Sequence, residues 1–341
     1  MKAIIKSFFV LSLLAKSFFV LAQKQTSGTD TSAGKSQTKD TIIKFDDTRK
    51  LSWPREFRVV EIISSMDSAI QKAYFYRSGS SAPQPLVVSL HTWSGNYTQH
   101  DDIAPLCKQK DINYIHPDFR GENRTTNACC SELALSDIDD AITYAIKNAN
   151  VDITRIFVMG VSGGGYATLS TFMKSKHRIK KFSAWASIAN LEAWYHESTI
   201  LKNKYAAEIF ACTGSINELD VDNARKRSPL YMKTPVDKLD KSELSIFAGI
   251  LDGIRGSVPI TQSINFYNKL LTDLSVKDSS KYVSVKEKLD LLEYRRPLGN
   301  FGSIGSRKIC LQKQSGNVTL TIFEGDHEML PAYALDEILK D

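Results

Sequence analysis

Ser162 stands in Gly160-Val161-Ser162-Gly163-Gly164, directly after the β-rich run Arg155–Met159 and before the helical AlaThrLeuSerThrPheMet. A G-x-S-x-G at a strand–turn–helix junction holds a serine hydroxyl above a sheet, on a turn only glycines can flank. A phosphate-cradling P-loop would need a lysine that does not follow here. A serine hydroxyl attacks an acyl carbon only when a base takes its proton, so a histidine must come to it. Of the six histidines, His327 is best placed, in EGDHEML just after the apolar run Val318–Phe323. His196 belongs to an irregular region, His91 and His116 precede the serine at strand ends, and His177 lies in the basic KSKHRIK. The orienting acid is expected at Asp252, which follows the run Leu244–Ile250 and precedes GSVP and a helix. The order Ser162, Asp252, His327 along the chain is the hydrolase order. Gly163 supplies one N–H for a developing oxyanion, and the loop His91-Thr92-Trp93-Ser94-Gly95 supplies the second, from Trp93 or Thr92.

These residues need a sheet whose strand ends gather on one edge. β-rich runs recur at Phe57–Ile63, Ile70–Tyr76, Leu86–Leu90, Asn113–His116, Arg155–Met159, Phe182–Ile188, Leu244–Ile250 and Val318–Phe323. Asp137–Asn148 carries Ile138, Ala141, Ile142 and Ala145 at i, i+3, i+4 and i+7, and Pro259–Leu271 carries a second helical stripe. The first two strands read as a hairpin. The later strand–helix alternation predicts an α/β fold, a mostly parallel sheet flanked by helices on both faces. Uninterrupted apolar runs such as LVVSL and RIFVM suit strands covered on both sides. Residues 190–243 break the alternation and are expected to form an insertion over the carboxyl edge; residues 277–312 form a second, more basic excursion.

The start of the chain reads differently. Lys2 and Lys6 precede an apolar run that Lys16 interrupts, and Val20-Leu21-Ala22 fits a signal-peptidase site, so residues 1–22 are expected to be an export signal. Residues 23–44 form a tether, with no large apolar residue before Thr41, and 45–341 form one catalytic domain. The net charge of +6 includes three lysines of the export segment, which leaves too little positive charge to argue for nucleic acid. Once the signal is removed, no membrane-spanning run remains. The expected location is periplasmic or extracellular. Among the five cysteines, Cys107 is expected to pair with Cys129 or Cys130, and Cys212 with Cys310. No Cys/His spacing calls for zinc.

GVSGGGY, GILDG-x-x-GSVP and the EGDHE loop resemble the α/β-hydrolase superfamily, in particular the catalytic domains of the prolyl oligopeptidase group. LHTWSGN, IHPDFRG, ACCSELALSDIDDAI and GSVPI further resemble stand-alone secreted carbohydrate esterases, pectin methylesterases among them. The resemblance implies Ser162 as nucleophile, His327 as base, Asp252 as orienting acid, and neither a metal nor an organic cofactor. The HTW of this chain stands where the superfamily usually has HGG. The expected activity is a carboxyl-ester hydrolase acting on methyl or acetyl esters of a polysaccharide, or on another small ester. Peptidase action on short peptides is the alternative, and a non-catalytic binder the third. Arg120 and Arg124, after the IHPDF strand end, are candidate readers of an acidic sugar; Tyr166 and Trp194 are candidate substrate contacts.

Overall fold

The computed structural model describes residues 51–239 and 241–340; the expected export segment and tether lie outside them. Among the described residues ten strands form the sheet: β1 (Arg58–Ile63), β2 (Ile70–Tyr76), β3 (Gln84–Leu90), β4 (Asn113–Pro117), β5 (Val151–Val161), β6 (Lys181–Trp185), β7 (Glu243–Gly249), β8 (Ser303–Ile304), β9 (Arg307–Ser315) and β10 (Val318–Phe323). Their order is β1-β2-β4-β3-β5-β6-β7-β10-β9-β8. β1 and β2 pair as the expected antiparallel hairpin, and β4-β3-β5-β6-β7-β10 are parallel. This is the α/β-hydrolase fold.

Along β3 and β5 successive side chains enter opposite layers, as the period of two requires. Leu86, Val88, Ile156 and Val158 join one apolar cluster, and Val87, Phe157 and Met159 join the other. The first layer takes in α2 (Glu132–Asn148), α3 (Gly163–Lys174) and α8 (Ile260–Asp273); the second takes in α1 (Ile103–Gln109) and α10 (Pro331–Ile338). α2 begins five residues before the expected stripe because Ser131 caps it, its hydroxyl accepting from Ala134 N at 3.1 Å.

The insertion after β6 consists of α4 (Leu191–Ile200), α5 (Tyr205–Cys212), α6 (Val221–Lys226) and α7 (Val236–Leu239). It sits against the loop that follows β3: the Trp194 ring meets Trp93 edge-on at 4.8 Å and stacks with Tyr205 at 4.8 Å. The excursion at 277–312 is more ordered than a connecting segment. It holds α9 (Val285–Tyr294), β8 and most of β9, and β9 pairs antiparallel with β10.

The cysteine pairing differs from expectation. Cys129 is bonded to Cys212, joining the loop after β4 to the end of α5, while Cys107, Cys130 and Cys310 are buried free thiols. Cys107 lies in the opposite layer from Cys129 and Cys130, with the sheet between them.

Candidate active site

Ser162 directly follows β5 and caps α3 with φ 59° and ψ −119°, a conformation costly for any residue with a side chain. Its N–H donates to Trp185 O at 2.9 Å, and its carbonyl accepts from Tyr166 N at 2.8 Å. The glycines around it are needed for close approach. A Cβ on Gly160 would lie 2.5 Å from the Gly164 carbonyl carbon, and one on Gly164 would overlap Leu90 O. The hydroxyl is buried and has no hydrogen-bond partner among the described residues. The amino terminus of α3 lies directly behind it, where its partial positive charge faces a developing anion.

Asp252 and His327 meet on neighbouring strand ends. β7 and β10 are adjacent, and the loops after them are tied by Ile250 N to Phe323 O at 2.8 Å and Leu251 N to Gly325 O at 2.9 Å. Asp252 Oδ2 lies 2.7 Å from His327 Nδ1. Its other oxygen accepts from Gly253 N at 2.9 Å and Val258 N at 3.1 Å, so the carboxylate is fixed in plane and orientation. Gly256 makes room for the pair: a Cβ there would lie 2.5 Å from Asp252 Oδ1 and overlap His327 Cβ. Glu328, which the sequence reading did not single out, shapes the histidine loop. It is buried, accepts from Asp326 N at 2.9 Å, and faces Arg307 at 3.3 Å. Its position beside His327 in EGDHEML was its only sequence signal. Met329 then returns to line a small cavity shared with Val161, the residue before the serine.

The loop after β3 approaches the elbow from the other side. A Cβ on Gly163 would overlap the backbone nitrogen of Trp93, so that nitrogen packs onto the elbow itself. The Thr92 N–H donates elsewhere, to Gln99 Oε1 at 2.9 Å. The Trp93 indole is buried and donates to Glu208 Oε2 of α5 at 2.8 Å. Below this loop, burial pushes His116 down to about 4, so it is neutral near pH 7. Its Nδ1 lies 2.8 Å from Ser89 O and therefore carries the proton.

The four expected substrate contacts have the following surroundings. Arg120 is turned inward: its guanidinium bonds Asp137 at 2.5 Å, Asp67 at 2.8 Å and Ser64 at 2.9 Å. Asp137 is wholly buried, so this arginine neutralises an interior charge, and its own side chain is only 7% exposed. Arg124 is exposed and paired with Glu122 at 2.9 Å. Tyr166 is buried, its hydroxyl donating to Arg227 O at 2.8 Å and lying 3.0 Å from Cys129 O. Trp194 is a packing pillar whose Nε1 donates to Ser257 O at 2.6 Å. Among the described residues no cluster of three His, Cys, Asp or Glu side chains is placed to hold a metal ion. No described helix is long and apolar enough to cross a membrane.

Comparison with known proteins gives this geometry a family. Residues 101–285, more than half of the chain, match the prolyl oligopeptidase family; the match includes the Ser162 elbow and the Asp252 loop and stops before His327. No curated protein sequence matches the chain. Among solved structures it is similar to the acylaminoacyl peptidase of Pyrococcus horikoshii, at 18% identity and a TM-score of 0.56, over 83% of this chain and 40% of that one. It is similar also to a puromycin-hydrolyzing peptidase of Mycobacterium tuberculosis, at 14% identity and a TM-score of 0.52, over 83% of this chain and 38% of that one. Prolyl oligopeptidase B of Galerina marginata matches at 14% identity and a TM-score of 0.51, over 64% of this chain and 32% of that one. The chain thus spans two fifths or less of each of these proteins, and at such identities the likeness carries the fold. The expected likeness to pectin methylesterases gains no support from them. On the family match, the chain belongs to the prolyl oligopeptidase family.

Proposed function

We propose that the protein is a serine hydrolase working through an acyl-enzyme. Ser162 Oγ attacks the acyl carbon, His327 Nε2 takes its proton, and Asp252 holds the imidazole with its Nδ1 proton in place. The tetrahedral oxyanion is bound by the N–H groups of Gly163 and Trp93. His327 then protonates the leaving group, and a water repeats the sequence on the acyl-serine. The observation that carries this reading is the buried 2.7 Å contact between Asp252 and His327, with the second carboxylate oxygen saturated by two backbone donors.

The acyl class rests on weaker support. Family membership and the printed names of the structural neighbours favour the amide bond of a short peptide. A second reading, the methyl or acetyl ester of a polysaccharide, draws on the closure of the site, since Ser162 is 1% and His327 2% exposed. Such a site takes the small acyl group of an acetyl ester most readily, whereas the acyl group of a methyl ester is the sugar chain itself. The acidic-sugar contact through Arg120 is no part of it. Action outside the cytoplasm remains part of the proposal, on the strength of the basic–apolar start of the chain.

One panel tests both levels: p-nitrophenyl acetate, methylated pectin and aminoacyl-p-nitroanilides, each with wild type and Ser162→Ala. Turnover of any substrate that vanishes in Ser162→Ala supports the serine hydrolase. Anilide turnover alone selects the peptidase, and pectin de-esterification selects the polysaccharide esterase. Activity that survives in Ser162→Ala overturns the nucleophile.

A further inference from the structure

The loop after β3 offers two backbone N–H groups to an oxyanion at Ser162, those of Thr92 and Trp93. The first is already committed. Thr92 N donates to Gln99 Oε1 at 2.9 Å, and the Thr92 hydroxyl donates to the same oxygen at 3.2 Å. The peptide joining Thr92 to Trp93 is held from its carbonyl side. Thr92 O accepts from Gly95 N at 3.1 Å and lies 2.9 Å from His91 Nδ1. A trans peptide directs its C=O and its N–H oppositely. Anchoring Thr92 O inside the loop therefore turns the Trp93 N–H outward, and the Trp93 nitrogen is the atom that packs against Gly163.

Gln99 reaches this position because Gly95 lacks a side chain. A Cβ at Gly95 would overlap Gln99 Oε1 and stand 2.9 Å from its amide carbon. Gln99 is itself buried, and its N–H closes the same loop on Asn96 O at 2.9 Å. We propose that Gln99 is the positioning residue of the oxyanion hole. By holding the Thr92 N–H it leaves the Trp93 N–H as partner of the Gly163 N–H and fixes the loop that aims it. This rests on Ser162 being the nucleophile. The HTW that replaces HGG then has a physical counterpart, since a bulky residue can occupy the donor position when the loop is locked from beneath.

The test uses the full chain with Gln99→Met, which keeps length and removes the amide acceptor, and Gly95→Ala, which displaces the amide from the other side. Both variants are compared with wild type on p-nitrophenyl acetate and for affinity toward a small alkyl boronic acid, which mimics the tetrahedral adduct. The expected result is a fall in kcat of about 10- to 100-fold, part of the loss caused by deleting an oxyanion donor outright. KM should stay within about threefold, and boronate affinity should fall with kcat. Because both changes remove one contact, the double variant should lose no more than the worse single variant. If one variant fails to fold, the other still gives the kcat and boronate readings. Losses confined to KM, a kcat within twofold of wild type, or losses that multiply in the double variant would overturn the proposal. Ser162→Ala is run alongside: activity persisting there sinks the nucleophile instead, whatever Gln99 does.

Discussion

At the scale of single residues, chemistry and stability pull against each other at Ser162. Its φ of 59° stores of order 1–3 kcal/mol. Ser162→Ala keeps that strain and loses the hydroxyl, so kcat should fall by about 10⁴- to 10⁶-fold with little change in melting. Ser162→Gly should be equally inactive yet more stable than Ser162→Ala by about 1 kcal/mol, a Tm rise of roughly 2 °C that calorimetry can resolve. An equal or lower Tm for the glycine variant would mean the turn is unstrained. Arg120 illustrates the opposite case, a residue whose guanidinium is bound to side chains of its own chain. Arg120→Met leaves the buried Asp137 carboxylate without its partner, and breaking a buried pair from one side costs about 3–5 kcal/mol. Urea midpoints should shift accordingly. Where the variant remains folded, kcat/KM should change by one common factor on neutral and anionic substrates. A selective loss on anionic substrates would restore the arginine to substrate binding.

Among the elements, the insertion depends on a single covalent tie. Cys129–Cys212 closes a separation of 83 residues and anchors α5, whose Glu208 holds the Trp93 indole. A loop of that length predicts about 4–5 kcal/mol through the unfolded state. Cys212→Ser should therefore lower the thermal midpoint, expose 190–239 to limited proteolysis and reduce kcat, since the donor loop loses its outer support. An unchanged proteolytic pattern would show that packing alone holds the insertion. This tie was not legible in the sequence, because pairing depends on which face of the sheet each cysteine occupies. Cys107 looked close in sequence, yet it sits in the other layer. The partners of Arg120 were not legible for a similar reason, since they lie 53 and 17 residues away. β9 was missed because RKICLQKQS buries only Ile309, Cys310 and Leu311 in a run, too little to stand out from a basic connection. The placement of Ser162, Asp252 and His327 was legible, because each stands just after an apolar run that became a central strand. Strand ends are where a parallel α/β sheet collects its chemistry.

Viewed as a whole molecule, the two apolar layers, the insertion and the disulfide converge on one consequence, restricted access. Ser162 and His327 are 1% and 2% exposed, and the Trp93 ring of the loop after β3 packs against Trp194, which stacks with Tyr205. Interiors packed this densely do not open for a longer chain without lost contacts. Each methylene of an acyl group gains about 0.8 kcal/mol when it is buried, so an open hydrophobic groove would make longer p-nitrophenyl esters better substrates. A closed site reverses that trend, because the acyl chain must displace side chains that are already packed. The expected outcome is a kcat/KM that falls at least about tenfold from acetate to octanoate, against the gain that burial alone would give. Loosening the tie should relax the discrimination: in Cys212→Ser the ratio of octanoate to acetate turnover should rise even as acetate turnover drops. A wild-type enzyme that prefers octanoate would instead place an acyl groove beside Ser162 and remove the basis for reading the substrate as a small acyl group.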